Sequence, residues 1–393
     1  LNRIKPSATM VITAKAIQLK REGKKVIGLS SGEPDFDTPQ HVKQAAIDAI
    51  NNGYTKYTNI EGIPELRQSI AEKFKKDNNL KYDIDNIIVG TGGKQILFNA
   101  LMSSLNNDDE VIIPAPYWVS YPDMTLLAGG KPIFVNCTSD TNFKLTGDAL
   151  EKVITKKSKW LILNSPSNPT GSCYSMSELE AIANVVRKHD DLYVMTDDIY
   201  EYIVYDNFRF YTFAQVAPDL QDRVLTVNGV SKSYCMTGWR IGYAAGPKLL
   251  IRAMTKIQGQ STSNPSSISQ YAALAGISGS KKFLDPCLNA FNDRRHFVVN
   301  KLNSIQGITC ILPEGAFYAY PNVSGLIGKR TQEGKTLNND AEIVEWLLET
   351  AEVAAVPGVA FGLEPYFRVS YATSLDILKE AMNRIEKSVL NLS

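Results

Sequence analysis

The amino-acid sequence predicts an α/β protein: a mostly parallel, seven-stranded sheet in a large domain, joined to a smaller α+β domain. Two observations support this prediction. Between about residues 87 and 245, seven short apolar runs alternate with helical segments, which is typical of a parallel sheet covered on both faces. Beyond about residue 285 the alternation gives way to a long helical segment, a few short apolar runs and a final helix.

The N-terminal part of the chain predicts helices and one short strand. A helix is expected over residues 11–22, ended by Gly23, because glycine commonly follows a helix C-terminus. A short strand over residues 27–29 leads into a loop whose glycine and proline permit close backbone approach. Further helices are expected over residues 39–51 and from Pro64 onward, since proline is favoured in a first helical turn.

The central apolar runs are the predicted strands of the large sheet. They cover residues 87–89, 111–113, 133–135, 160–163, 193–195, 224–227 and 241–245. In sheets of this kind, ligands bind outside the carboxyl ends of the strands. The polar residues that follow each run are therefore the candidates for a functional site.

The C-terminal part of the chain predicts a helix over residues 285–305 and a final helix. Four short strands are expected between them, over residues 308–311, 316–320, 353–356 and 367–370. We therefore predict three parts, which are an N-terminal arm with part of the small domain in residues 1–40, a large domain in residues 41–285, and a small C-terminal domain in residues 286–393.

The composition excludes several classes of function. The chain has 393 residues, with 42 Lys and Arg against 41 Asp and Glu, so a net charge of +1 gives no basic excess for nucleic acid. No apolar run approaches the ~20 residues of a membrane helix, and the first ten residues lack the apolar core of a signal peptide. The five dispersed cysteines form no CxxC pair, which is typical of reduced thiols. We expect a cytoplasmic protein that binds neither nucleic acid nor membrane, and we predict no metal site.

The stretch VSKSYCMTGWRIGYAAG, residues 230–246, offers a lysine and an arginine eight positions apart. A lysine that attacks a carbonyl must be partly deprotonated, and burial and nearby cations lower its pKa. An arginine supplies a planar fork that suits a phosphate. Lys232 and Arg240 thus match the amine and the guanidinium that hold pyridoxal phosphate in enzymes. The alternative is a surface lysine beside a structural arginine on a strand edge.

Two further motifs follow predicted strands. Thr91-Gly92-Gly93-Lys94 opens a helix, and the exposed N–H groups of a helix N-terminus bind phosphate, although an ordinary tight turn would have the same sequence. Trp118 follows the next strand, where its indole could stack on a flat heteroaromatic ring or simply pack in the core.

Polar side chains also follow two apolar strands later in the chain. Asn164 and Asn168 lie in a proline-rich loop, NSPSNPTG, which offers fixed side-chain donors. Asp197 directly follows another apolar run, and a buried carboxylate there needs a cationic or protonated partner. A protonated pyridine nitrogen would be such a partner, while a helix N-cap is the alternative role for the aspartate.

Taken together, these motifs resemble the class I, pyridoxal-phosphate-dependent aminotransferases of fold type I, in the aspartate aminotransferase family. The resemblance covers essentially the whole chain and rests on GEPDFDTP, KYTNIEGIPELR, GTGGKQ, PAPYWVSYP, NSPSNPTG, TDDIYE, SKSYCMTGWRIGYAAGP and PEGAFYAYP. Within this family the chain is most similar to the bacterial subgroup that acts on aspartate and prephenate.

The resemblance implies a role for each matching residue. The residues implied in catalysis are Lys232, Asp197 and Tyr200. Those implied in cofactor binding are Gly92, Gly93, Lys94, Trp118, Asn168, Asp197, Tyr200, Lys232, Arg240 and, at the neighbouring subunit's phosphate, Tyr57. Those implied in substrate binding are Gly32, Trp118, Asn168, Arg368, Lys94 and the N-terminal Lys5, Ser7 and Thr9.

Several of these roles are specific. Lys232 would form the Schiff base with pyridoxal phosphate and move the proton between the substrate α-carbon and the cofactor C4′. Asp197 would pair with the pyridine nitrogen, and Arg368 would bind the substrate α-carboxylate. No clear counterpart exists for the second-subunit arginine of the animal enzymes, so Lys94 and Lys5 are assigned to the distal carboxylate. The peptide bonds Ala115–Pro116 and Asn168–Pro169 are expected to be cis, as in relatives.

The resemblance therefore implies a homodimer with shared active sites that transfers the amino group of L-aspartate to 2-oxoglutarate, and that also acts on prephenate to give arogenate. The reaction would alternate between two cofactor forms. Alternatives within the fold are an aromatic aminotransferase and a β-lyase. A non-catalytic relative is a further alternative, because a fold does not fix a function.

Overall fold

The computed structural model of the chain describes residue 4 and residues 8–393, and only the backbone of residues 8–11 and 13. Its α-helices are α1 (Ala8–Arg21), α2 (Gln40–Asn51), α3 (Pro64–Asn78), α4 (Gly93–Ser104), α5 (Ser120–Leu127), α6 (Gly147–Glu151), α7 (Met176–Val186), α8 (Phe213–Val216), α9 (Lys248–Gly259), α10 (Ser267–Ser278), α11 (Leu284–Ser304), α12 (Asp340–Thr350) and α13 (Leu375–Leu390). No helix in this part of the chain is long and apolar enough to cross a lipid bilayer.

The β-strands form one large sheet and two small ones. They are β1 (Ile27–Gly28), β2 (Ile87–Gly90), β3 (Glu110–Ala115), β4 (Lys131–Asn136), β5 (Ser158–Asn164), β6 (Tyr193–Asp197), β7 (Val224–Gly229), β8 (Gly242–Ala245), β9 (Tyr318–Ala319), β10 (Val353–Ala354), β11 (Val356–Pro357) and β12 (Phe367–Ser370).

The large sheet confirms the predicted seven-stranded, mostly parallel arrangement. Its strand order across the described residues is β2-β8-β7-β6-β5-β3-β4, and every predicted apolar run lies in it. The pairs from β7 to β4 are parallel, whereas β8 runs antiparallel to both β2 and β7. The strands are almost continuously apolar because helices bury both faces.

The pleat of β2 shows how the two faces are covered. Ile87 and Val89 belong to one hydrophobic cluster, with residues of α2, α3, α7 and α10. Ile88, between them, belongs to the cluster on the other face, with residues of α4, α5 and α9. Successive side chains of a strand point to opposite faces, so a run without polar residues requires burial on both sides.

A separate hydrophobic cluster gathers the C-terminal elements. It joins α11, α12, α13, β9 and β12 to Leu29, which directly follows β1. Strand β1 pairs in parallel with β10, and β11, β12 and β9 form a small antiparallel sheet. The pairing of β1 with β10 supports the division at residues 40 and 285, which we keep as a proposal.

Three of the four predicted C-terminal strands differ from the structure, and the one expected over residues 353–356 is interrupted at Ala355, between β10 and β11. Residues 308–311 form no strand, and Thr309 makes an isolated bridge to Asn322. The backbone N–H and C=O of Cys310 instead bond to the side-chain amide of Asn303, at 2.8 and 3.0 Å. The expected strand over residues 316–320 shortens to β9, because Ala316 has a φ of +55°, which extended strands do not adopt.

The antiparallel strand β8 places residues from three parts of the chain at one edge of the sheet. Gly242, at its amino end, lies opposite Gly90 at the carboxyl end of β2 and opposite Gly229 at the carboxyl end of β7. A side chain at Gly242 would collide with the backbone of Gly92 and Gly93. The segments that follow β2 and β7 therefore meet the segment that precedes β8.

Candidate active site

A cavity of about 260 Å³ opens at this edge of the large sheet. Most of the side chains that the sequence predicts for the site lie on its walls. The predicted residues that line it are Gly32, Gly93, Lys94, Trp118, Asn168, Asp197, Tyr200, Lys232, Arg240 and Arg368. The structure thus brings together residues that are up to about 340 positions apart in the chain.

The remaining predicted site residues lie elsewhere. Tyr57 does not line the cavity and is 91% exposed. Gly92 lies directly behind Arg240, and a side chain added to Gly92 would collide with the guanidinium. Lys5 and Ser7 lie outside the described residues, and Thr9 is described by its backbone alone, within α1.

Lys232 lies in the turn that follows β7, with its amine inside the cavity wall. Its Nζ donates a hydrogen bond of 2.6 Å to the backbone oxygen of Gly32. Burial lowers the pKa of Lys232 to about 8; Glu33 opposes this shift, and the nearby cations Arg240 and Arg368 add to it. The amine is therefore easier to deprotonate than an ordinary lysine, as a nucleophile toward a carbonyl must be.

Asp197 is the last residue of β6 and is 7% exposed. Its Oδ2 accepts a hydrogen bond of 2.7 Å from the hydroxyl of Tyr121, and its backbone oxygen accepts one of 2.7 Å from the side chain of Asn164. Burial raises the pKa of Asp197 to about 6, although the Tyr121 hydrogen bond works in the opposite direction. A protonated ring nitrogen in the cavity would supply the cation that this carboxylate needs.

The turn into α4 and the residue before β8 form a cationic corner. Gly92 and Arg240 both have left-handed backbones, with φ of +84° and +58°. The backbone N–H groups at the start of α4 and the Arg240 guanidinium thus lie next to each other, which is the donor set of a phosphate site. Lys94 adds a second cation, with its Nζ 4.9 Å from the centre of the Trp118 ring.

The pKa of Lys94 is lowered, chiefly by burial and further by Arg240. An anion that binds beside the two cations would oppose this shift, because it favours their charged forms. The cationic corner therefore fits a ligand with a phosphate or carboxylate group.

Arg368, on β12, is held rigidly and is 2% exposed. Its Nη1 donates 2.8 Å to Asn168 Oδ1, and its Nη2 donates 2.5 Å to the backbone oxygen of Ser30. Its guanidinium lies 4.6 Å from the ring centre of Tyr318 and 5.1 Å from that of Phe361. Its buried Nε has no hydrogen-bond partner in the part of the chain described, so a donor remains for a substrate carboxylate.

Tyr200 and Asn168 provide neutral polar groups beside Arg368. The hydroxyls of Tyr200 and Tyr318 lie 2.8 Å apart, and burial raises the pKa of Tyr200 well above its ordinary value. The backbone N–H of Asn168 donates 2.7 Å to Asn164 Oδ1. Both peptide bonds that were expected to be cis, Ala115–Pro116 and Asn168–Pro169, are cis in the structure.

Two tyrosines that contact the predicted site residues were missed at the sequence level. Tyr121 binds Asp197, and Tyr318 contacts both Tyr200 and Arg368. Both lie inside motifs that carried the resemblance, PAPYWVSYP and PEGAFYAYP. The position of Tyr121 in the first turn of α5, after a strand end, was the available indication, whereas nothing local distinguishes Tyr318 from its aromatic neighbours.

The chemistry of the site fits pyridoxal phosphate, the cofactor that the sequence resemblance implies. A phosphate matches the cationic corner at Arg240, a pyridine nitrogen matches the buried Asp197, and a carbonyl matches the amine of Lys232. No group of three or more His, Cys, Asp or Glu side chains that could hold a metal ion occurs among the described residues.

Comparison with known sequences places the chain among similar proteins. The family model described as aminotransferase class I and II matches residues 24–385. A probable aspartate/prephenate aminotransferase of Rickettsia bellii is 57% identical over 388 residues, which cover 99% of this chain and 97% of that protein. An aspartate/prephenate aminotransferase of Cereibacter sphaeroides is 56% identical, over 100% of this chain and 98% of that protein.

Solved structures give the same result. The aspartate aminotransferase from Rhizobium meliloti superimposes with a TM-score of 0.98 at 52% identity, over 100% of this chain and 98% of that chain. The aspartate aminotransferase from Thermus thermophilus with maleate gives a TM-score of 0.92 at 40% identity, over 98% of this chain and 97% of that chain.

The pKa of Asp197 predicts how the ligand-free protein responds to Asp197→Asn. Below about pH 3 the carboxyl is protonated in both the folded and the unfolded chain, so its burial then costs no stability through ionisation. As the pH rises from about 4 to about 6, the unfolded chain releases this proton while the folded chain still holds it. Above about pH 6 the folded protein has lost about 3 kcal/mol of stability, the equivalent of a pKa difference between 3.8 and about 6.

Asparagine cannot ionise, so we expect the variant to be more stable than the wild type by about this amount at pH 8 and equally stable at about pH 3. Free energies of unfolding measured by denaturant titration at both pH values test this. The control is Asp37→Asn, whose side chain is 98% exposed. A variant that is equally stable or less stable at pH 8 would contradict the expected cost of burying this carboxylate.

Proposed function

The chain belongs to the class I and II aminotransferase family and acts on amino and 2-oxo acids, and we propose that it transfers the amino group of L-aspartate to 2-oxoglutarate with pyridoxal phosphate as cofactor. We further propose that it aminates prephenate to arogenate, the second activity in the names of its relatives. The observation that carries the proposal is that Lys232, Asp197 and Arg368 line one cavity, each buried and each of the chemical type that this reaction requires.

The phosphate of the cofactor would be held at the cationic corner. Arg240 supplies its guanidinium there, and α4 supplies the backbone N–H groups at its start. Glycine at positions 92 and 93 lets these groups approach the ligand closely, because the backbone carries no side chain that would intervene. This corner sets the position of one end of the cofactor.

The ring of the cofactor would be held by four other side chains. Asp197 would pair with the pyridine nitrogen, Trp118 would contact the ring, and Tyr200 together with Asn168 would donate hydrogen bonds to the phenolic oxygen. The bound cofactor supplies an electron sink that makes the proton on the substrate α-carbon easier to remove. Because Asp197 is held by Tyr121 at 2.7 Å, its carboxylate cannot turn away from a ring in the cavity.

Lys232 is the residue that we assign to proton movement. With a pKa of about 8, its Nζ is partly neutral near neutral pH, and a neutral amine can take the proton from the substrate α-carbon and return it. Its hydrogen bond to the Gly32 oxygen fixes the direction of the amine. Covalent attachment of the cofactor would use the same atom.

Arg368 would bind the substrate α-carboxylate. Its guanidinium is held in place by Asn168 and the Ser30 oxygen, so little conformational entropy is lost when the carboxylate binds. Lys94 is assigned to the distal carboxylate of aspartate or prephenate, because it is a cation on the cavity wall. Lys5, Ser7 and Thr9 remain predictions for the same task.

A homodimer in the cytoplasm is also proposed. Tyr57 is 91% exposed and lies outside its own cavity, so it is free to contribute to the site of a second copy. The dispersed cysteines and the absence of any apolar run of membrane length support the cytoplasmic location that the sequence predicts.

A panel of amino donors and acceptors tests the proposed reaction. With pyridoxal phosphate and 2-oxoglutarate, we expect aspartate to have a higher kcat/KM than phenylalanine or tyrosine, and we expect prephenate to be aminated with aspartate or glutamate as donor. Chromatographic detection of glutamate, oxaloacetate and arogenate measures this. Higher kcat/KM for phenylalanine would instead support an aromatic aminotransferase, and release of ammonia from a β-substituted amino acid would support a β-lyase.

Lys232→Ala separates cofactor binding from catalysis. We expect the variant to bind pyridoxal phosphate without covalent attachment, because Arg240 and Asp197 remain, and to lose amino-group transfer by several orders of magnitude. Borohydride reduction followed by peptide mass spectrometry should find the cofactor on Lys232 of the wild type and on no residue of the variant. The matched control is Lys248→Ala, on the surface at the start of α9. Near-normal turnover by the Lys232 variant would remove this residue from the mechanism.

Lys94→Ala tests the distal carboxylate site. Loss of one charge-assisted hydrogen bond costs ~1.5–3 kcal/mol, so kcat/KM for aspartate and prephenate should fall roughly tenfold to a hundredfold relative to phenylalanine. Lys131→Ala, an exposed lysine on β4, is the control. Equal losses on all three substrates would show that Lys94 supports the cofactor and not the choice of substrate.

A further inference from the structure

The turn that carries Asp197 and Tyr200 has a second side, which faces away from the cavity. Asp197, Ile199 and Tyr200 line the cavity, whereas Asp198 and Glu201 do not. Both of these carboxyl side chains are nevertheless buried, at 3% and 4% exposure. The turn therefore presents its proposed cofactor contacts on one side and two buried acidic groups on the other.

Glu201 is part of a closed triad with two residues of α3. Its Oε1 forms an ion pair with Lys73 Nζ, and its Oε2 accepts a hydrogen bond of 3.2 Å from Asn78 Nδ2. Lys73 Nζ also donates 2.7 Å to Asn78 Oδ1, which completes the ring of contacts. The side chains of Lys73 and Glu201 are 1% and 3% exposed, so water does not screen the pair.

Of the two buried acidic residues, Glu201 makes the ion pair that connects this turn to α3. Burial disfavours the charged form of Asp198 and raises its pKa well above its ordinary value. Lys73 Nζ lies 4.9 Å from the ring centre of Phe74 and 5.4 Å from that of Tyr202. The ammonium of the ion pair therefore lies beside two aromatic rings.

A buried ion pair is an inefficient way to stabilise a fold. The two charges lose their hydration, and well-packed apolar side chains of similar volume often give equal or greater stability. Such a pair has fixed directions and hydrogen bonds, and it therefore defines the geometry between the two structural elements that carry it. The elements here are α3 and the turn after β6.

Helix α3 is itself fixed to the strand that leads into the cationic corner. Arg67 of α3 donates 3.1 Å from Nε to the backbone oxygen of Ile87, in β2, and 2.6 Å from Nη2 to that of Ile84. Strand β2 ends at Gly90 and continues into Gly92. Through Arg67 and the triad, the turn after β6 and the turn after β2 therefore share α3 as a common support.

We propose that Lys73, Asn78 and Glu201 form a positioning triad that holds Asp197 and Tyr200 at a fixed distance from the phosphate corner. The proposal rests on the proposed binding of pyridoxal phosphate, whose rigid ring requires the contacts for its nitrogen and phenolic oxygen to be set relative to its phosphate. The triad touches neither cofactor nor substrate, and it acts through the turn of residues 197–201.

Paired variants separate positioning from stability. Lys73→Met and Glu201→Gln each leave one buried partner without its charge, so each should lower the melting temperature of the holoenzyme. The double variant Lys73→Met/Glu201→Gln removes both charges and should recover most of that loss. We expect its dissociation constant for pyridoxal phosphate, measured by quenching of tryptophan fluorescence, to stay at least tenfold above the wild-type value. The pH at which the absorbance of the bound cofactor changes should also shift.

A control variant shows how much of any change in cofactor affinity is due to lost stability alone. Lys301→Met breaks an ion pair of 2.8 Å between α11 and α13, remote from the cavity. At a matched loss of melting temperature, its affinity for pyridoxal phosphate should equal that of the wild type. If Lys73→Met does not fold but Glu201→Gln does, the same test is made by comparing Glu201→Gln with Lys301→Met at matched melting temperature.

The outcomes are distinct. A double variant that regains both melting temperature and wild-type cofactor affinity, or a control that loses affinity equally, would overturn the positioning role. Failure of the proposed function would show in the wild type itself, as a lack of pyridoxal phosphate binding before any variant is compared.

Discussion

The close approach of three backbone segments at one edge of the large sheet is the constraint on which the site depends. Gly90, Gly229 and Gly242 lie in register across β2, β8 and β7, and Gly242 has no room for a side chain against the start of α4. Because β8 runs against its neighbours, the residues that precede it meet those that follow the other two strands. Arg240 and Lys232 lie together for this reason.

Burial then gives the gathered groups their chemical character. Removal from water disfavours the charged form of each group, which lowers the pKa of Lys232 and of Arg368 and raises that of Asp197. The lysine gains a reactive neutral fraction, while the arginine keeps its charge because its ordinary pKa is far above neutrality. Burial therefore makes the amine of Lys232 reactive, and it prepares Arg368 and Asp197 to bind charged groups of a ligand.

The cavity lies between the large sheet and the C-terminal hydrophobic cluster. Tyr200 follows a strand of the large sheet, yet its ring packs with the C-terminal cluster, against Phe317 and Tyr318. Lys232 contacts Gly32, and Arg368 contacts Asn168, across the same boundary. The buried ion pair of Lys73 and Glu201 connects the turn of Tyr200 to α3.

The sequence by itself determined the seven strands of the large sheet, because strands buried on both faces must be apolar throughout, and it determined the candidate residues at the strand ends. It could not determine the direction of β8, the lack of a strand over residues 308–311, or the contacts of Tyr121 and Glu201. The contacts of Tyr121 and Glu201 depend on partners that are distant in the chain, such as Asn78 for Glu201, 123 positions away. A local pattern records whether a residue is buried, whereas the tertiary structure alone decides which group it meets there.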